Sequence, residues 1–212
     1  MVLPGFYPIL DASSLERRSI SMLVFTEAML DGGARLLQYR RKTAFTREAF
    51  AEVEQVAALC RQAGATLVID DRADIARVLA CGLHVGQDDL PCAAARRVLG
   101  ASLLLGFSTH NGAQMAAAAS EPIDYAALGP IFGTSSKERP DAVVGLEGLR
   151  QIRRMSNHPV VAIGGITRER AAAVRLAGAD SVAVIADLFP DDCGRTALRR
   201  RAEEWVRATT VL

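Results

Sequence analysis

Apolar residues in this chain follow two alternating rhythms. Short unbroken aliphatic runs are followed by longer stretches in which apolar positions recur every three or four residues. The short runs predict strands at FYPIL (6–10), RLLQY (35–39), TLVID (66–70) and LHVG (83–86). The series continues with SLLLGF (102–107), DYAALG (124–129), VVAIG (160–164) and SVAVI (181–185). Most lack the apolar–polar alternation of a half-exposed strand, as expected of parallel strands covered on both faces. The longer stretches predict helices. In FAEVEQVAALCRQAG, residues Phe50, Val53, Val56, Ala57 and Cys60 share one face, and Gly64 supplies a stop. Thr167 is placed to cap a helix that ends at Gly178, and Leu198, Ala202 and Trp205 form the apolar stripe of a C-terminal helix.

Eight strands alternating with about eight helices in 212 residues predict a parallel α/β protein, a (β/α)8 barrel in one domain over residues 1–212. A doubly wound open sheet competes, but it more often carries a glycine-rich turn after its first strand, and PILDASSLE has none.

Charge narrows the partners. With 25 basic and 24 acidic residues the net charge is +1, so there is no global field for nucleic acid or an anionic membrane. The arginine-rich C-terminal stretch reads as a solvated helix face. The four cysteines are scattered without ligand spacing, which predicts reduced thiols and a cytoplasmic setting. No signal peptide or membrane span is expected.

In a parallel barrel the residues just after each strand converge on one rim. They are QYRRK after strand 2, DDRAD after strand 3, GQDD after strand 4 and STH after strand 5. GPIFGTSSK follows strand 6, GGIT strand 7 and IAD strand 8. Asp71 and Asp89 end neighbouring strands, which lie ~4.8 Å apart, so one cation fits between them; the plainer reading is helix caps and first-turn acids. Gly164 and Gly165 before a capped helix fit a phosphate grip, or a tight turn that needs glycine. The segment 133–145 combines hydroxyls with a lysine and reads as an anion-binding lid or a surface loop. His110 is a candidate acid/base, while His84, inside a strand, reads as structural. Within QYRRK, alternation puts Gln38, Arg40 and Lys42 on one face and Tyr39 and Arg41 on the other.

The motifs FYPILD, GGARLLQYRRK, VIDDRADIA, GLHVGQDDLP, LGFSTH, DYAALGPIFGTSSK, PVVAIGGIT and GADSVAVIADL, in that order over nearly the whole chain, resemble those of the thiamine phosphate synthase family. The resemblance implies a (β/α)8 barrel that joins hydroxymethylpyrimidine diphosphate to a thiazole phosphate and releases diphosphate. It implies that Gln38, Arg40 and Lys42 hold the pyrimidine diphosphate, with Asp70 beside them and Asp71 and Asp89 binding Mg²⁺. Ser108 would contact the pyrimidine or its diphosphate, and Lys137 the diphosphate. Thr134, Ser136, Gly164, Gly165, Ile185 and Ala186 would meet the thiazole phosphate. Arg40, Lys42 and Lys137 are the catalytic expectation, acting on charge developing at the leaving group. The implied partners are these two small molecules, with a homo-oligomer left open.

Three positions depart from the family pattern. Asp70 stands where asparagine is usual, Arg41 where an acid is common and Ala186 where serine is usual. The first two compensate each other if they pair. Two alternatives remain: a thiazole tautomerase of the same superfamily using His110 as proton carrier, and a ligand-binding barrel without catalysis.

Overall fold

The computed structural model describes residues 2–134 and 141–210. Eight parallel strands close on themselves: β1 (Phe6–Asp11), β2 (Leu36–Arg40), β3 (Thr66–Asp70), β4 (Gly82–Val85), β5 (Leu105–Thr109), β6 (Tyr125–Leu128), β7 (Val160–Ile163) and β8 (Ser181–Val184). Each pairs with its neighbours in chain order, and β1 closes the ring against β8 through Phe6↔Val182 and Pro8↔Val184. The helices among the described residues are α1 (Ala12–Glu16), α2 (Met22–Asp31), α3 (Arg47–Gln62), α4 (Ala73–Val78) and α5 (Cys92–Leu99). They continue with α6 (Gly112–Ala118), α7 (Gly145–Arg153), α8 (Arg168–Leu176) and α9 (Arg195–Thr209), and a 3-10 turn, Ala186–Leu188, follows β8. No described helix is long and apolar enough to cross a membrane.

Alternation along the strands separates two cores. Phe6, Leu10, Leu37, Tyr39, Ile69, Leu83 and Val182 face outward and pack against the helices, with Trp205 of α9 stacked on Phe6 at 5.7 Å between ring centroids. Tyr7, Ile9, Leu36, Val68, Tyr125, Ala127, Val161 and Ala183 fill the barrel interior. Full burial of each aliphatic side chain contributes about 1.5–3 kcal/mol. The same alternation turns Asp11, Arg40 and Asp70 inward at the rim, because they sit two residues beyond Ile9, Gln38 and Val68.

One strand lies away from its expected place. The aliphatic run SLLLGF predicts β5 at 102–107, whereas it spans Leu105–Thr109. Gly106 sets the register. It opposes His84 on β4 and Tyr125 on β6, and a Cβ there would stand 2.0 Å from Tyr125 Cζ. Leu104, which looks like strand centre in the sequence, packs instead against the lower interior core. The shift moves Ser108 and Thr109 from after the strand to within it.

Candidate active site

Each rim residue is carried by a strand end. Asp11 closes β1, where it caps α1 by accepting from Ser14 N at 3.0 Å. Its Oδ2 also accepts from the hydroxyls of Ser14 (2.7 Å) and Ser13 (2.9 Å), and its Oδ1 accepts from Arg40 Nη1 at 2.5 Å. Burial alone would raise this carboxyl; donation from Ser14, Arg40 and Ser13 outweighs it and holds Asp11 below the ordinary carboxylate range. Asp11 therefore remains an anion and fixes Arg40.

Asp70 closes β3 and is buried. Its Oδ2 lies 2.7 Å from Lys42 Nζ and 3.7 Å from Arg40 Nε, but no donor is aligned on it in hydrogen-bond geometry among the described residues. Lys42 also pairs with Asp71, so one ammonium bridges two carboxylates. Burial raises both carboxyls, with Lys42 opposing, and Asp89 pushes both further up by repulsion. Asp71 adopts a left-handed backbone, φ +63°, with its N–H donating to His84 O at 2.9 Å; this turn redirects the chain just past β3. Asp89 is exposed after β4 and accepts from Gly86 N at 2.7 Å.

These carboxylates fit a hard divalent cation. They supply oxygen donors only and repel one another, and the Lys42 ammonium already stands between two of them. Among the described residues no three His, Cys, Asp or Glu side chains form a closed metal cage. An ion such as Mg²⁺, which takes one or two carboxylates and completes its octahedron with water and phosphate oxygens, would not need such a cage.

Below the rim a buried hydrogen-bond chain crosses the barrel. Gln38 Nε2 donates to Tyr7 OH (3.3 Å), which meets Tyr125 OH (3.1 Å). Tyr125 OH meets His84 Nδ1 (3.0 Å), and His84 Nε2 meets Ser108 Oγ (2.8 Å). Burial raises both phenols, so they stay protonated. His84, expected to be structural, thus ties the side chain of Ser108 to that of Gln38 on the far strand.

Arg41 turns outward, as alternation requires. Its partners are Tyr39 OH (2.9 Å), Glu16 (3.0 Å) and Glu52 (3.2 Å). The expected compensation between Arg41 and Asp70 is therefore corrected: Asp70 faces inward to Arg40 and Lys42, and Arg41 answers acids on the helices. His110 Nδ1 lies 2.7 Å from Gly129 O and 3.4 Å from Asp141. A carbonyl only accepts, so the proton sits on Nδ1 in that contact.

On the opposite side of the rim, Gly164 (φ +97°) and Gly165 (φ +61°) follow β7. A Cβ on Gly165 would stand 2.3 Å from Gly133 O. The chain after β6 lies directly over this turn, with Ile131 N on Ile163 O (2.9 Å) and Phe132 N on Gly164 O (3.0 Å). Thr134 continues from it, half-buried. Ile185 and Ala186 follow β8 and begin the 3-10 turn. Ser136 and Lys137 lie outside the described residues.

The structure thus gathers Gln38, Arg40, Lys42, Asp70, Asp71 and Ser108 at the β2–β5 side, with Asp89 close enough to act on Asp70 and Asp71. Gly164 and Gly165 follow β7, and Ile185 and Ala186 follow β8. Asp11, Tyr7 and Tyr125 escape the sequence reading. The signal for Asp11 is the acid that ends FYPILD, and its capping role conceals it. A separate cavity of about 430 Å³ opens at the other end of the barrel between Leu3, Arg35, Cys60 and Cys81, away from this cluster.

The chain matches a family model described as thiamine monophosphate synthase over residues 6–188. It is 44% identical to the thiamine-phosphate synthase of Koribacter versatilis, over 97% of this chain and 95% of that one. With that of Chloroflexus aurantiacus it is 43% identical, over 92% and 90%. The solved thiamine phosphate pyrophosphorylase of Pyrococcus furiosus superposes with a TM-score of 0.84 at 31% identity, covering 97% of this chain and 95% of that one.

Proposed function

The chain belongs to the thiamine monophosphate synthase family, and on that premise we propose how its rim divides the work of a transferase. The pyrimidine diphosphate lies at the β2–β5 side and the thiazole phosphate against the turns after β7 and β8. The C–O bond between the pyrimidine methylene and diphosphate breaks, leaving a delocalised cation, and the thiazole nitrogen forms the new N–C bond. Arg40 and Lys42 face the diphosphate and stabilise negative charge as it leaves. Asp11 holds the guanidinium of Arg40 in place before substrate arrives. Ser108 and Gln38 orient the pyrimidine, each anchored from below by the chain through His84, Tyr125 and Tyr7.

Asp71 and Asp89 would hold Mg²⁺, with Asp70 beside them, and the ion when bound would neutralise diphosphate oxygens. In the free enzyme the Lys42 ammonium lies between Asp70 and Asp71, so its reach toward diphosphate is coupled to what replaces it there. The backbone at Gly164, Gly165, Ile185 and Ala186, joined by Thr134, Ser136 and Lys137, would complete the anion sites. The chain acts as one cytoplasmic barrel unit on these two small molecules.

The observation that carries this reading is the meeting of Arg40, Lys42, Asp70 and Asp71 at one rim. Its test is Asp89→Ala, expected to lose turnover while melting like the parent protein; full activity would remove the metal assignment. The tautomerase alternative needs no diphosphate apparatus, so the presence of Gln38, Lys42, Asp71 and Asp89 favours the synthase over it.

A further inference from the structure

The turns after β7 and β8 present backbone to the rim without a charged or hydroxyl side chain at Gly164, Gly165, Ile185 or Ala186. Two such loops, from different strands, must hold a fixed separation if their N–H groups are to meet one anion. A shift of an ångström at such a contact is costly. The bracing comes from behind. Arg168, three residues past Gly165 and first in α8, donates from Nε to Asp187 Oδ2 at 3.0 Å. Asp187 immediately follows Ala186. The other arm of Arg168 pairs with Glu204 on α9. Glu204 also meets Arg201 Nε at 3.4 Å. The carbonyl of Asp187 accepts from Arg201 Nη1 (2.7 Å) and Trp205 Nε1 (3.4 Å).

We propose that Arg168 is a positioning residue that clamps the β7 and β8 turns together through Asp187, setting the anion-binding backbone for the phosphate of the second substrate. The proposal rests on the reading that this phosphate binds at these turns. An isolated surface ion pair would contribute little. Here the Arg168 and Asp187 side chains are only 25% and 19% exposed, and a second acid on a separate helix holds the guanidinium. A brace meant only to join α8 to α9 would need Glu204 alone. Asp187 lies on the turn itself, and both its carboxylate and its carbonyl are engaged. The clamp also suits Ala186, where no hydroxyl exists to grip phosphate directly. Arginine suits the task because its planar fork presents separate N–H groups to the two carboxylates in fixed directions, whereas lysine offers a single freely rotating ammonium.

The test is steady-state kinetics with each substrate varied separately, on Arg168→Met, Arg168→Lys, Asp187→Asn and Gly165→Ala, alongside melting curves. Arg168→Met is expected to raise KM for thiazole phosphate on the order of tenfold. KM for the pyrimidine diphosphate should stay within about twofold. Arg168→Lys should recover part of the loss, and Asp187→Asn should repeat it, which also serves if Arg168→Met does not fold. Unchanged KM values, or equal rises for both substrates tracking a lower melting temperature, would overturn the clamp. If Gly165→Ala weakens thiazole phosphate while Arg168→Met does not, only the clamp falls. If an active Gly165→Ala leaves thiazole phosphate unaffected, the phosphate assignment falls and the clamp with it.

Discussion

The Asp11 carboxylate at the end of β1 accepts from the Arg40 guanidinium at the end of the adjacent strand β2 at 2.5 Å. Arg40 therefore points at the site before any anion is present. Asp11→Asn keeps the shape but removes the charge. It should raise KM for the pyrimidine diphosphate about tenfold while leaving KM for thiazole phosphate near its parent value. Initial-rate measurements with each substrate varied in turn check this.

The same carboxylate makes stability depend on pH. Its pKa is lowered in the folded protein, so its contribution is present above the ordinary carboxylate value of ~3.9 and is lost as pH falls through the folded value. At neutral pH, Asp11→Asn should destabilise by about 1–3 kcal/mol, from the lost ionic hydrogen bond and the weakened cap. Urea unfolding of parent and variant should show that gap closing in acid, as pH falls below the ordinary carboxylate value and through the lowered folded one. A gap that stays constant with pH would contradict the assignment.

Lys42 bridging Asp70 and Asp71 predicts competition with a divalent ion. Lys42→Met leaves the two carboxylates without their ammonium. Mn²⁺ binding, followed by its paramagnetic signal without substrates, should tighten several-fold in the variant even as turnover drops. Equal or weaker Mn²⁺ affinity would separate the ammonium from the metal position.

Gly106 makes room for the buried chain of Tyr7, Tyr125 and His84. Gly106→Ala drives a methyl into Tyr125 and, at 2.6 Å, into His84 Nδ1. Overpacking of this kind costs about 1–3 kcal/mol, and displacing Tyr125 also strips partners from Tyr7 and His84. Thermal unfolding should show the loss, and a variant as stable as the parent would mean that the interior yields more readily than its contacts indicate.

The barrel was legible in the sequence because parallel strands covered on both faces appear as unbroken aliphatic runs. That signal fails at β5, where Leu103 and Leu104 are as apolar as a strand but the register is set by a glycine facing two aromatic or imidazole rings. Period-two alternation separated Gln38, Arg40 and Lys42 from Tyr39 and Arg41 correctly. It could not show which acid each cation meets, since Glu16 and Glu52 reach Arg41 from helices α1 and α3. Asp11 was hidden by having two roles, cap and anchor. Tyr7 and Tyr125 were hidden because, in a one-dimensional pattern, a buried hydroxyl looks like any apolar strand residue. Asp71, just past β3, and Asp89, in the turn after β4, come near each other because residues after neighbouring strands of a parallel barrel share one rim.

The most direct test of the whole reading is product formation by the purified chain. Supplied with the pyrimidine diphosphate, the thiazole phosphate and Mg²⁺, it should yield thiamine phosphate and diphosphate in equal amounts by mass spectrometry and phosphate assay. Omitting either substrate or chelating the metal should abolish both signals. No thiamine phosphate from the complete mixture, or undiminished product after chelation, would contradict the account.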